Sequence, residues 1–292
     1  MGDGKPTVYE QALLDGLRAR VDKVTPQQLS GNDAPHASEA LGVEAIFAAL
    51  FLAENPGDAT PPAEAQKALD RMWALQLREG PGRGAWAWNS YDLDPWEMPE
   101  STFYGAALAA LATGIAPPEY RNRPDVRERI AELIAYLQRD SPKQPLHNRL
   151  ALLWASTRLP DVLSASMRRV IIDEVWQRQQ PDGGWNLESL GPWKKRAQAS
   201  PSPGSNSYGT AFTAFVLQTA GVVRSDSRLI RALDWLKSHQ DHQFGYWAAE
   251  SMNKRYETGS MPSLFMRDAA TAFATFALLA AGEPGQSDYV KW

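Results

Sequence analysis

The segment Gln179-Gln180-Pro181-Asp182-Gly183-Gly184-Trp185 decides the fold class of this chain. A run of residues with helical periodicity leads into it, and the Gly-Gly pair ends that run before the Trp. The same order of features occurs before Trp86 and again before Trp247. An internal repeat of this kind is typical of folds built from stacked pairs of helices.

Two kinds of helix alternate along the chain. Helices with one charged face lead toward the Gly-x-Trp turns, whereas the others consist almost wholly of Ala, Gly, Thr, Leu and Phe. A helix that is apolar on every side has to be buried on every side, so we expect the second kind inside and the first kind outside. We predict helices over residues 8–24, 37–54, 61–77, 100–114, 124–139, 146–157, 163–179, 207–220, 226–240 and 267–281, and long loops over 78–99, 193–203 and 244–264.

The alternation of inner and outer helices predicts an all-α fold. Its regular repeat indicates an α/α toroid or solenoid, in a single domain that spans residues 1–292. The alternating runs that are typical of β-strands are missing from the sequence. The small residues of the inner helices permit close approach around a crowded axis.

Composition excludes several classes of function. The chain has no Cys, which rules out disulfides, thiolate catalysis and thiolate-zinc sites. Its net charge is -4 and it has no basic stripe, so we expect no nucleic-acid partner. The four His residues, His36, His147, His239 and His242, are too scattered for a metal site, and we predict neither a metal nor a cofactor. The N-terminus lacks the apolar core of a signal peptide and no apolar run reaches the ~18 residues that span a bilayer, which predicts a cytoplasmic protein.

The repeated turn resembles the QW repeat of the squalene-hopene and oxidosqualene cyclase family, whose α/α toroid is shared with prenyltransferase β subunits. Gln179, Gly183 and Trp185 fit the spacing Q-x3-G-x-W, although Glu174 stands where that motif has an aromatic residue. The turn before Trp247 needs one extra residue to match, and the turn before Trp86 needs several. The resemblance covers residues 63–282 and implies that the Gln caps neighbouring backbone and that the Trp ties one outer helix to the next.

The resemblance also bears on whether the ring is closed. A closed toroid of this family has six pairs of helices, and five pairs are counted in this sequence. With five pairs, the ring is either open or closed by a second copy, a partner domain or a missing segment, whereas a sixth pair that the count misses would close it. An open ring exposes the apolar surface of an inner helix, which favours association.

Cyclases of this family carry a D-x-D-D motif just before an inner helix. Its central Asp protonates an alkene or epoxide, and aromatic side chains stabilise the resulting carbocation. Such an acid requires clustered carboxyl groups in a dry cavity. Here Glu100-Ser101-Thr102 falls on the end of the motif and Met98 replaces its first Asp, so the full motif is absent. Four carboxyl groups still lie within nine positions, on Asp92, Asp94, Glu97 and Glu100.

The resemblance therefore implies an apolar, isoprenoid-like ligand and a cyclase or isomerase reaction started by protonation, with contact to a membrane surface. Asp94, Asp92, Glu97 and Glu100 are the candidate catalytic acids. The candidate substrate-binding residues are Trp88, Trp96, Phe103, Tyr104, Tyr208, Phe212 and Asp268. Two alternatives stay open: the acids form only a solvated loop and a helix start, and the toroid is a non-catalytic binding or protein-interaction module.

Overall fold

The computed structural model describes residues 7–23, 36–54, 62–194, 196–199 and 203–282. Within these ranges 64% of the residues are helical, in eleven α-helices and short 3-10 helices, and no strand occurs. The nearest approach to a sheet in this part of the chain is an isolated bridge between Leu93 and Glu97. The all-α prediction is therefore confirmed.

The helices are numbered α1 to α11 in chain order. They are α1 Val8–Lys23, α2 Ala37–Glu54, α3 Pro62–Ala74, α4 Ser101–Ile115, α5 Pro118–Arg121, α6 Pro124–Asp140, α7 Leu146–Ala155, α8 Ala165–Gln177, α9 Ser207–Thr219, α10 Ser227–Ser238 and α11 Met261–Ala280. Short 3-10 helices cover Ser141–Lys143, Pro160–Val162 and Leu187–Leu190. The sequence predicts every one of the α-helices except the four-residue α5.

Some predicted helix ends are wrong. The helices α8 and α10 stop before Gln179 and Gln240, because both Gln side chains bond to the turns that follow. The helix α11 begins at Met261 rather than at residue 267, since Pro262 has no N–H and is accepted in a first helical turn. The predicted ends Val24 and Pro61 lie outside the described residues.

The chain divides into two compact units. The first comprises Met1–Gln144 with Arg158–Leu163, and the second comprises Pro145–Thr157 with Ser164–Trp292. The expectation of one domain over residues 1–292 stays a prediction.

The first unit is built around α4. Nearly every residue of α4 from Ser101 to Thr113 is buried, and α2, α3 and α6 pack against it. Gly105 permits a close approach on this helix, because a Cβ there would meet the Trp88 ring at 2.2 Å. An apolar helix is thus placed inside its unit, as its composition predicts.

The second unit is built in the same way around α9. All residues of α9 from Ser207 to Leu217 are buried, and α7, α10 and α11 contact it. Gly209 again has no room for a side chain, since a Cβ would meet the backbone nitrogen of Leu187 at 2.8 Å. The Asn206 side chain caps α9 by accepting a hydrogen bond from the Gly209 N–H at 2.9 Å.

The helix α11 departs from the expectation that every apolar helix is buried on all sides. Its buried residues are Ala270, Ala274 and Ala277, on the side that packs against α9. By length and composition α11 is long and apolar enough to cross a membrane. The core helices of soluble proteins pass the same test, so this property alone is weak evidence for a membrane span.

The opening segment forms a hydrogen-bonded unit that we name the clasp: a Gln, a Gly and a Trp, with the backbone groups that they bond. The Gln179 Nε2 group donates to the carbonyl oxygen of Gly183 at 2.7 Å and to that of Arg228, in the first turn of α10, at 2.8 Å. The Trp185 indole N–H donates to the carbonyl oxygen of Val175 at 2.8 Å. The clasp thus joins the end of α8 to the start of α10.

The same bonds occur in the first unit, although its loop is longer. The Gln76 Nε2 group donates to the carbonyl oxygens of Gly84 at 3.1 Å and of Arg129 in α6 at 3.0 Å. The Trp86 indole donates to the carbonyl oxygen of Met72 at 2.6 Å. In both clasps, therefore, the Gln bonds a later helix of the same unit.

A third clasp follows α10. The Gln240 Nε2 group donates to the carbonyl oxygen of Gly245 at 2.9 Å, and the Trp247 indole donates to that of Leu236 at 2.8 Å. In all three clasps the indole bonds the carbonyl four residues before the Gln. Loop length between Gln and Gly varies, but the Gln-to-Gly bond and the indole bond are the same in all three clasps, so the turn before Trp86 is a true copy of the repeat.

The clasp Trp residues have structural roles, as the resemblance implies. Trp86 and Trp185 are almost completely buried. Each packs 5.5 Å from a second Trp, Trp73 and Trp176 respectively. This second Trp stands three residues before the Gln, so the aromatic partner missing at Glu174 is supplied two positions later.

We predict that Gln179→Ala lowers the free energy of unfolding by about 2 kcal/mol, because two hydrogen bonds to backbone carbonyls are lost. Urea denaturation at neutral pH measures the effect. The matched control is Gln180→Ala, since the neighbouring Gln180 amide bonds only the local carbonyl of Arg178 at 3.2 Å. Equal losses in the two variants would contradict the role assigned to the clasp.

Candidate functional site

The acidic loop, residues 91–100, precedes α4 in the first unit. Its backbone folds back on itself: the N–H groups of Tyr91 and Leu93 donate to the Glu97 carbonyl at 2.9 and 3.2 Å, and the Glu97 N–H donates to the Leu93 carbonyl at 2.9 Å. The Ser101 hydroxyl donates to the Pro95 carbonyl at 2.9 Å. The first residue of α4 thus fixes the loop at the start of the buried helix.

Aromatic side chains surround the base of this loop. The Trp88 indole N–H donates to the Trp96 carbonyl oxygen at 2.7 Å. The Trp88 ring packs 6.1 Å from Tyr104 of α4 and 6.1 Å from Phe47 of α2. Trp88 and Tyr104 are buried, whereas Trp96 is half-buried.

The four candidate acids lie in different environments. Asp94 is only 5% exposed. Glu97 is half-buried, and this burial raises the pKa of its carboxyl group. Asp92 and Glu100 are exposed.

The two exposed acids have local explanations that need no catalysis. The backbone of Asp92 has a φ of +56°, a left-handed conformation that Asp tolerates better than most residues. Glu100 precedes the first residue of α4, where a negative charge suits the helix dipole, although its side chain makes no capping hydrogen bond. The strongest candidate acids are therefore Asp94 and Glu97.

The other predicted ligand-binding residues separate into two groups. Phe103 is fully buried and its ring lies 6.0 Å from Tyr136 of α6, so it contributes to packing between helices. Tyr208 and Phe212 are buried in the second unit, and Asp268 is exposed there. These three residues belong to the second unit, whereas the acidic loop belongs to the first.

The second unit contains a buried polar pair that the sequence did not predict. The fully buried His147, in the first turn of α7, lies with its Nε2 atom 2.9 Å from the Tyr208 hydroxyl. Its Nδ1 atom is 3.1 Å from Oδ1 of Asn148. Because an amide oxygen only accepts hydrogen bonds, Nδ1 carries the proton and Nε2 accepts from Tyr208.

Aromatic rings enclose this pair. The Phe212 ring stacks on Tyr208 at 5.7 Å, and Trp193 approaches His147 edge-on at 6.1 Å. Complete burial lowers the pKa of His147 to about 4, which keeps the imidazole neutral at physiological pH. Chemically, the pair is able to take a proton at the Tyr208 oxygen and pass the hydroxyl proton to Nε2.

We predict that the neutral His147 makes stability depend on pH. Its pKa is about 4 when folded and about 6.5 in an unfolded chain. The unfolded state therefore binds more protons between these values, and stability falls as pH falls. From about pH 7 to about pH 5 this group should contribute a loss on the order of 2 kcal/mol.

Urea denaturation of the wild type and of His147→Gln at both pH values tests this prediction. The variant should lose less stability than the wild type on acidification, whatever its stability at neutral pH. The exposed His242→Gln is the control and should keep the wild-type slope. A wild-type slope in His147→Gln as well would refute the assignment.

Comparison with protein-family models and with curated proteins finds no match for this sequence. Among the residues that the structure describes, no group of three or more His, Asp or Glu side chains is placed to hold a metal ion.

Proposed function

We propose that this chain is an α/α toroid related to the squalene-hopene cyclase family, that it binds an isoprenoid-like apolar ligand, and that the acidic loop protonates this ligand. The three clasps support the relation to the family, because Gln, Gly and Trp make the bonds that the family's repeat implies. The almost wholly buried helices α4 and α9 support the division into inner and outer helices.

The observation that carries the proposed reaction is the burial of Asp94 in an acidic loop whose Trp96 carbonyl accepts a hydrogen bond from the buried Trp88. Protonating an alkene requires a carboxylic acid removed from water, since water would compete for the proton and solvate the carboxylate. Glu97, whose pKa burial raises, supplies a second carboxyl group that resists ionisation. The faces of Trp88 and Trp96 would stabilise the cation formed next to them.

In the proposed step the Asp94 carboxyl group gives its proton to one alkene carbon. The π electrons of the double bond form the new C–H bond and leave a carbocation, which a second double bond attacks in a cyclisation. Loss of a proton from a neighbouring carbon to water then forms an alkene, and the Asp94 carboxylate regains a proton from solvent. The reaction needs no cofactor. A cytoplasmic protein with access to a membrane surface would meet such ligands, which partition into lipid.

A second candidate function is a non-catalytic interaction module. The observation that favours it is the exposure of large apolar side chains on α11, with Met261 79% and Phe265 62% exposed. In that case Asp92 only stabilises the turn of the acidic loop and Glu100 only stabilises the start of α4, and neither takes part in chemistry.

We expect the purified chain to convert polyprenyl hydrocarbons or alcohols into isomeric or cyclic products, which mass spectrometry detects. In D₂O the product should gain one deuterium on carbon, since the proton comes from an exchangeable acid. Asp94→Asn should lower the rate at least about a hundredfold, as expected for a general acid. Asp92→Asn, in the same loop but exposed, is the control and should keep most of the activity.

Two results would decide against the proposal. If Asp94→Asn keeps the wild-type activity, Asp94 is not the proton donor. If tryptophan fluorescence shows that the wild type and Asp94→Asn both bind the ligand, and neither converts it, the chain is a non-catalytic binding module.

A further inference from the structure

Within the described ranges, the third clasp lacks a partner that the other two clasps have. In the first two clasps the Gln gives one N–H to the glycine of the turn and the other to a later helix, at the carbonyl oxygens of Arg129 and Arg228. Gln240 bonds the carbonyl oxygen of Gly245 in the same way. Its second N–H meets no carbonyl oxygen of a described residue.

The glycine of the clasp shows the same difference. A Cβ on Gly84 would lie 2.8 Å from the carbonyl carbon of Glu132 in α6, and a Cβ on Gly183 would lie 3.0 Å from the carbonyl oxygen of Arg231 in α10. Glu132 and Arg231 each stand three residues after the residue whose carbonyl accepts from the Gln. A Cβ on Gly245 would meet, among the described residues, only the amide nitrogen of its own Gln at 3.8 Å.

We propose that the third clasp binds the beginning of one more helix, formed by residues 287–292, a segment outside the described residues. In this arrangement the carbonyl oxygen of Tyr289 accepts the second N–H of Gln240, and the backbone of Trp292 packs on Gly245. These are the two contacts that α6 and α10 make with the first and second clasps.

Spacing along the chain supports this occupant. The helices α9 and α11 are both followed by a glycine in the left-handed conformation, Gly221 with a φ of 94° and Gly282 with a φ of 76°. Arg228, whose carbonyl the second clasp bonds, lies seven residues after Gly221, and Tyr289 lies seven residues after Gly282. The segment therefore presents its backbone at the distance along the chain at which α10 presents its own.

The residue types of the segment also fit the beginning of a helix. Asp226 caps α10 by accepting a hydrogen bond from a backbone N–H at 2.9 Å. Ser287 stands at the corresponding position, and Ser caps helices about as well as Asp. Leu229 of α10 is fully buried, and the apolar Val290 corresponds to it. The segment thus has a cap and an apolar residue where α10 has them.

A double-mutant cycle in the full chain tests the docking. Val290→Asp places a charge where α10 has the buried Leu229, so it should displace the segment. In the otherwise wild-type chain, Gln240→Ala should raise the equilibrium constant for unfolding about thirtyfold, because two hydrogen bonds are lost. In the Val290→Asp chain the same change should raise it only about fivefold, since only the bond to Gly245 remains. Urea denaturation measures both ratios.

Lys291→Asp is the matched control. Lys291 corresponds to Ile230 of α10, which is 43% exposed, so the same charge one position later should leave the segment docked. In this background Gln240→Ala should keep its thirtyfold effect. A Gln240→Ala effect of equal size in the wild-type and Val290→Asp chains would overturn the docking.

The docking is independent of the proposed reaction, so each fails separately. NMR gives a second measurement that does not depend on stability. We expect nuclear Overhauser effects between the α-hydrogens of Gly245 and the backbone of Trp292 in the wild type and in Lys291→Asp, and their loss in Val290→Asp. Their absence from the wild type would show that another group, or none, occupies the third clasp.

Discussion

In two of the three clasps, one primary amide joins the turn to a later helix. The side-chain nitrogen of Gln179 carries two N–H groups, and each meets a different backbone carbonyl, one in the turn and one in α10. A Glu at this position would offer no donor, and a Lys would lack the fixed planar geometry. Because both bonds originate from one rigid group, the position of the next helix is fixed relative to the turn. The other residues of the clasp adapt to this constraint.

The Gly and Trp of the clasp follow from that geometry. Gly84, Gly183 and Gly245 have φ values of 93°, 101° and 76°, in the left-handed region that other residues avoid. This conformation belongs to the turn in which the glycine carbonyl accepts from the Gln. The Trp then fills the space between helices, and its single N–H satisfies a carbonyl near the end of the outer helix, where carbonyls lack helical partners. Three residue types are thus required at three places for three separate reasons.

Helix type and turn chemistry were accessible from the sequence because both depend on residues close together in the chain. The exposure of α11 was not, since its composition matches that of the buried α9 and only the presence of neighbours separates the two. The four acids illustrate the same limit. Their clustering is visible in the sequence, but the burial of Asp94 beside the exposed Asp92 depends on how the loop folds back at Glu97. The bond between His147 and Tyr208 joins residues that are 61 positions apart, and no local pattern connects them.

The clasp also gives each unit its own optical signal. Of the eleven Trp residues in the chain, Trp73 and Trp86 lie 5.5 Å apart in the first unit, and Trp176 and Trp185 lie 5.5 Å apart in the second. Indole rings held this close and inclined at 48° and 41° couple their electronic transitions. Such coupling produces paired circular dichroism bands of opposite sign, which vanish when the rings separate. Replacing one Trp of a pair by Phe removes the paired bands of that unit. The remaining bands then report the melting of the other unit alone, in the intact chain.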